Sequence, residues 1–191
     1  MYDNQTFELV KLPKSKRVLK NRWIYRLKQE EGSSTPRYKA RLVVKGFSQK
    51  KGVDFEEIFS PMVKISSIRT VLGVAASLYL EIEQMDVKMA FLHGNLNEEI
   101  YMEQPEGFRV KGKEDYVCKL KKSLYGLKQA LRQWYKKLES VMQQQGYKKI
   151  TSDHCMFVQR FSHDDFIILL LYVDDMLIVG QSAPRIAKLK H

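Results

Sequence analysis

Asp174 and Asp175 stand side by side within positions 166–181, FIILLLYVDDMLIVGQ, between two apolar runs. Adjacent carboxylates repel each other, and a divalent cation with oxygen ligands relieves that repulsion. Asp also suits tight turns on backbone grounds alone, so turn chemistry is the competing account of the pair. The neighbours weigh against it. Tyr172 and Val173 before the pair and Met176 and Leu177 after it are apolar, where a turn that only faced water would need no such flanks. A third carboxylate, Asp86, ends the alternating run at 81–87, EIEQMDV; strand-end or capping duty is its alternative role. Three carboxylates from two such segments suit two magnesium ions that bridge an attacking hydroxyl and a phosphate chain in in-line phosphoryl transfer. Magnesium takes few carboxylates together with waters and substrate phosphates, which fits so sparse a set.

These side chains need elements to hold them. The runs flanking Asp174 and Asp175 are short and rich in β-branched and aromatic residues, which predicts strand, turn and strand. They are too short and too charged to span a bilayer. Further strands are expected at 6–10, at 23–29 (WIYRLKQ), at 38–47 (YKARLVVKGF), at 99–103 and at 155–161, with a turn or loop at 30–37 around Gly32 and Pro36. In the second of the paired strands Lys39, Arg41 and Lys45 alternate with apolar residues, giving one face positive charge or simply a solvated face. Apolar residues recur at helical spacing from 66 to 79 (Ile68, Val71, Leu72, Ala75, Ala76, Tyr79), which predicts a core helix capped by Ser66 or Ser67. A second helix is expected at 129–145, with Leu131, Trp134, Tyr135, Leu138 and Met142 on one face and Gly146 as its stop. Gly126, in the turn before it, allows close backbone approach to a base or sugar. The tail at 183–191 reads as the start of a basic amphipathic helix.

Composition bounds the rest. At 191 residues and 44% apolar content the chain can bury a real core, and a net charge of +11 points to a polyanionic partner, nucleic acid before an anionic membrane surface. Cys118 and Cys155 lie far apart without metal-ligand spacing, which argues against a disulfide framework or a zinc site and for a reducing compartment. Met1 leads directly into polar residues, so no signal peptide is expected. His154 and His163 have no partner at ligand spacing.

Four stretches in order, RYKARLVVKGFSQKKGVDFEEIFSPMVKISSIRTVLGVAAS, QMDVKMAFLHGNLNEEIYMEQPEGF, CKLKKSLYGLKQALRQWY and LLLYVDDMLIVG, resemble the reverse transcriptase of copia-type retrotransposon Pol polyproteins across nearly the whole chain. The resemblance implies an α+β right-hand polymerase fold, an antiparallel sheet backed by helices, with positions 1–65 mainly fingers and 66–191 mainly palm with interleaved fingers elements. It also implies a chain truncated before the thumb, about one helix after the catalytic hairpin. Asp86 matches the first catalytic carboxylate, Asp174 and Asp175 match the pair of the YxDD hairpin, and the Val87 carbonyl would complete a shell for two Mg2+ or Mn2+ ions. Phe91 occupies the place of a steric gate against a ribose 2′-hydroxyl. Lys39 and Arg41 fall where the incoming triphosphate is gripped, and Tyr125 and Gly126 in a motif that meets nucleotide and template. Leu131 departs from the family, which has proline there. The implied partners are an RNA or DNA template with its primer, dNTPs and other Pol polyprotein segments, with no membrane. Two alternatives stand beside this one: a catalytically inactive truncated remnant, and a nucleic-acid-binding module without catalysis.

Overall fold

The two apolar runs around Asp174 pair with each other, and their hairpin forms the middle of the largest sheet. The computed structural model describes residues 5–29 and 35–189; positions 30–34 of the expected loop and 190–191 of the expected tail helix lie outside the described residues. In chain order the elements are β1 (Phe7–Lys11), β2 (Val18–Leu19), β3 (Asn21–Lys28), β4 (Arg37–Val44), α1 (Ile65–Ser77), β5 (Glu81–Asp86) and β6 (Tyr101–Met102). They continue with β7 (Tyr116–Leu120), α2 (Ala130–Gln144), β8 (Lys148–Lys149), β9 (Met156–Arg160), β10 (Phe166–Tyr172), β11 (Asp175–Gly180) and α3 (Ala183–Leu189). The chain divides into two units, Met1–Phe59 with Phe91–Trp134 and Ser60–Ala90 with Tyr135–His191. No helix among the described residues is long and apolar enough to cross a membrane.

The first unit holds a four-stranded sheet in the order β1-β7-β6-β2, and the two-stranded ribbon of β3 and β4. Leu19, Met102, Cys118, Leu120 and Leu127 form its core together with Leu42 and Val44 from the end of β4. Strand β7 was not among the expected elements, because its five residues sit between charged segments and leave no clear alternation. Cys118 is buried and free, and burial pushes its thiol up to about 12, so it stays protonated.

The second unit is built on an antiparallel sheet in the order β5-β11-β10-β9-β8. Strand β10 is buried from Ile167 through Leu171, on both faces, which is why its sequence reads as one apolar run and not as alternation. Phe157, Leu169 and Ile178 stand in register across three strands and are fully buried; each such side chain contributes about 1.5–3 kcal/mol. Tyr135, Leu138 and Met142 of α2 are buried as the helical spacing predicts. That helix ends at Gly146, with φ +87°, as the Tyr147 N–H donates to the Met142 carbonyl at 2.9 Å.

Helix α1 departs from expectation in two ways. Only Val71 and Ala75 are fully buried, whereas Leu72 and Ala76 are exposed and Tyr79 lies beyond the helix in a left-handed conformation, φ +53°. Nor does Ser66 or Ser67 cap it. The helix starts one residue earlier, after Lys64, and the missing acceptor comes from Asp153, whose carboxylate receives the Lys64 N–H at 2.9 Å and the Cys155 N–H at 3.0 Å. Burial alone would raise the Asp153 pKa. The Ser67 hydroxyl, these two N–H donors and the Lys64 charge outweigh it and hold the carboxyl below its ordinary range. A depressed carboxyl pKa gives stability that is complete above the unfolded value of about 3.9 and is lost as pH falls through the folded value. Thermal melts of Asp153→Asn should therefore lie below the native chain at pH 7 by the equivalent of about 1–2 kcal/mol, with the gap closing as the pH drops below about 3.9.

Candidate active site

In the second unit, β5 and β11 pair so that Asp86 lies directly opposite Asp175. The Val87 N–H donates to the Asp174 carbonyl at 2.9 Å, one residue beyond, which makes the aspartate pair a non-hydrogen-bonded one. In such a pair both side chains project from the same face, with Cβ atoms about 4.5–5.5 Å apart. Like charges so placed destabilise the strand pair. Among the described residues no lysine or arginine forms a salt bridge with Asp86, Asp174 or Asp175, so the repulsion is not relieved from within the protein. Gln84, two residues before Asp86 on the same face, donates its amide N–H to Asp175 at 3.4 Å.

The third carboxylate sits in the connection itself. Tyr172 pairs with Asp175, leaving Val173 and Asp174 as a two-residue turn. Val173 has φ +62°, a conformation that costs a β-branched residue on the order of 1–3 kcal/mol. Met89, three residues after Asp86, has φ +56°. Two of the four non-glycine residues in this region of backbone space among the described residues thus lie within three positions of Asp86 or Asp174. Such strain persists where the surroundings over-determine it, as they do at functional sites. Among the described residues no three His, Cys, Asp or Glu side chains form a ready-made metal cage. What the strands supply is an opposed pair with a third carboxylate at the turn, a donor set that suits magnesium, which is held by one or two carboxylates and completed by water and phosphate.

The first unit brings the remaining candidates together. Arg41 on β4 lies over the ring of Tyr125, 5.4 Å from guanidinium carbon to centroid, and the Phe91 ring meets Tyr125 edge-on at 4.6 Å. Lys39 is two residues before Arg41 on β4 and therefore on the same face; its register partner is Arg26. This face carries Arg22, Arg26 and Lys28 from β3 and Arg37, Lys39 and Arg41 from β4.

Gly126 packs against the backbone of β4. It adopts φ +93°, and a Cβ placed on it would fall 2.0 Å from the Val44 carbonyl oxygen; one on Gly46 would fall 1.9 Å from the Gly126 oxygen. The Val44 N–H donates to the Tyr125 carbonyl at 2.8 Å. The space where a Gly126 side chain would stand is therefore filled by the backbone of β4, in the same turn that carries Tyr125.

Sequence reasoning missed the residues that hold this turn. The Gln49 amide donates to Gln129 at 3.0 Å and accepts from the Lys128 N–H at 2.8 Å, while the Gln129 amide donates to the Asp54 carbonyl at 2.9 Å. Asp54 in turn receives Arg17 and, at 2.7 Å, the Lys50 N–H. Gln49, Asp54 and Gln129 are all buried, and the Gln49–Gln129 and Gln129–Asp54 bonds are made out of reach of water. Gln129 stands one residue before α2 and is followed a turn later by Arg132 and Gln133, so helical spacing gave no sign of its burial.

Comparison with known proteins follows the same lines. The model of the family described as reverse transcriptase (RNA-dependent DNA polymerase) matches residues 4–191. The retrovirus-related Pol polyprotein from transposon TNT 1-94 of Nicotiana tabacum is 66% identical over 187 residues, which cover 98% of this chain and 14% of the relative. The corresponding polyprotein from transposon RE2 of Arabidopsis thaliana is 47% identical over 93% of this chain and 12% of its own length. The Ty1-DR4 Gag-Pol polyprotein of Saccharomyces cerevisiae is 30% identical over 87% of this chain and 10% of its own length. The chain therefore spans about one seventh or less of these relatives. No solved structure matches it.

Proposed function

Since the chain belongs to the reverse transcriptase (RNA-dependent DNA polymerase) family, we propose that it carries the fingers and palm of an RNA-directed DNA polymerase that joins dNTPs to a primer 3′-hydroxyl on an RNA or DNA template. The palm is then the unit of Ser60–Ala90 with Tyr135–His191, and the fingers the unit of Met1–Phe59 with Phe91–Trp134. The observation that carries the reading is the register of Asp86 opposite Asp175, with Asp174 in the adjoining turn.

Asp86, Asp174 and Asp175, with the Val87 carbonyl, are the groups to hold two Mg2+ or Mn2+ ions. When bound, such ions lower the pKa of an attacking hydroxyl and offset charge on the triphosphate oxygens. The carboxylates contribute fixed negative charge at a sheet edge, and their mutual repulsion ties the stability of the strand pair to cation binding. Arg41 and Lys39 supply positive charge for the triphosphate, the Arg as a planar fork suited to phosphate oxygens. Tyr125 holds the guanidinium from one side, on the turn that Gly126 allows. Phe91, braced edge-on by Tyr125, presents a wall against a ribose 2′-hydroxyl.

The test is extension of a DNA primer annealed to RNA by the full chain with dNTPs and Mg2+, with and without a chelator, alongside thermal melts under the same conditions. Chelator-sensitive incorporation and a cation-induced rise in melting temperature are expected; a folded chain that shows neither sinks the reading. The wall role of Phe91 has its own signature. Phe91→Val should raise incorporation of ribonucleotides relative to deoxynucleotides about tenfold or more, while incorporation of deoxynucleotides falls less. An unchanged ratio would remove Phe91 from the site.

A further inference from the structure

A pocket of about 240 Å³ lies in the first unit, against one face of the β1–β7 pair. Its floor is Phe7 and Leu9 of β1 with Cys118, which stands opposite Leu9 in the register. Trp23 of β3 and the loop after β6, through Gln104, Pro105 and Phe108, form the walls. These walls are pinned from within. The buried Gln104 amide donates to the Lys113 and Tyr116 carbonyls at 2.6 and 2.9 Å and accepts the Val110 N–H at 2.9 Å, which closes the loop on itself. Trp23 donates its indole N–H to the Glu106 carbonyl at 3.1 Å and packs its ring against Phe108 at 5.5 Å. A site so preformed spares a ligand the cost of ordering it.

We propose that this pocket is a binding site for an uncharged aromatic molecule of about two fused rings. The same hydrogen bonds select that class. Gln104 and Trp23 bring the amide and indole groups of the lining, and both are already engaged inside the wall. Cys118 is fully buried and adds only a weak thiol donor. A charged or strongly hydrogen-bonding ligand would shed its water here with nothing to replace it. Three rings, those of Phe7, Trp23 and Phe108, favour a planar aromatic partner. A dry apolar cavity of roughly 150 Å³ holds one benzene, so this larger pocket has room for a second fused ring. It stands apart from the Arg41, Tyr125 and Phe91 cluster, since Trp23 pairs with Leu42 and projects from the ribbon face opposite to Arg41. Binding there needs neither metal nor dNTP, so its test does not depend on polymerase activity.

The test is titration of the nitrogen-15-labelled full chain with naphthalene, followed by NMR at the indole N–H signals of its two tryptophans, Trp23 and Trp134, beside 2-naphthoate as the charged counterpart. Naphthalene should shift the Trp23 signal with a dissociation constant of about 100 µM or tighter and leave the Trp134 signal in place, and 2-naphthoate should bind at least about tenfold more weakly. Leu9 is half-buried, so Leu9→Phe can turn its larger ring into the pocket; naphthalene binding should weaken about tenfold with no fall in melting temperature. Phe108 is 59% exposed, so Phe108→Ala should keep the fold while it removes one ring of the wall and about fivefold in affinity. A folded native chain whose Trp23 signal ignores naphthalene would overturn the proposal, as would equal affinity for 2-naphthoate or native affinity in both variants. Self-association of the native chain that is lost in Leu9→Phe, with no response to naphthalene, would also overturn it and make the pocket a socket for a second copy's side chain.

Discussion

Asp175→Asn is expected to lower metal-dependent nucleotide incorporation on the order of a thousandfold while leaving the fold in place. The substitution keeps the size of the side chain, so the β5–β11 register has no reason to shift. What it removes is one of two like charges facing each other across that register. Without metal the variant should melt at the native temperature or slightly above it, since a directly opposed like-charge pair costs about 0.2–1 kcal/mol. With Mg2+ or Mn2+ present the order should reverse, because the native chain gains from cation binding and the variant gains less. A merely structural aspartate would not produce this crossover. Primer extension that survives in Asp175→Asn would remove the carboxylates from the reaction.

Gly126→Ala should cost far more stability than a methyl added at Gly52. Two costs combine. The backbone at φ +93° disfavours any side chain, and the new Cβ would lie 2.0 Å from the Val44 carbonyl oxygen and 2.8 Å from the Val43 methyl carbon Cγ1. The oxygen belongs to the backbone of β4 and cannot rotate away, so the strand or the turn has to move. The combined cost is about 3 kcal/mol or more, measurable by denaturant unfolding. Gly52 separates the two terms: it has φ +77° with nothing within 4 Å of an added Cβ, so Gly52→Ala should cost only about 1 kcal/mol. Movement of the Tyr125–Gly126 turn also pulls Tyr125 from Arg41, so triphosphate binding should weaken in Gly126→Ala and hold in Gly52→Ala. Equal stability of the two variants would show that the close approach to β4 is not what the glycine is for.

The carboxylates were legible because they interrupt strong local patterns. Short β-branched runs on both sides of Asp174 and alternation up to Asp86 define strands whose ends can be read directly, and α2 announces itself by apolar spacing and the glycine at its end. The adjacency of β5 and β11 is a matter of pairing, for which the sequence offered only the ends of two strands. Polar contacts over long sequence separations left no mark at all. Asp153 caps α1 from 89 residues away, and Gln49 finds Gln129 across 80. Periodicity reports whether a residue is buried, not which distant group satisfies it. Val173 was hidden for the opposite reason: a β-branched residue argues against a positive φ, and only the two-residue turn between β10 and β11 imposes one.

The polypeptide passes between its two units three times, at 59–60, 90–91 and 134–135. Neither unit is a continuous stretch of gene. An early stop or a recombination junction anywhere between the first passage and the last removes pieces of both, so neither half can be exchanged or expressed as a contiguous cassette.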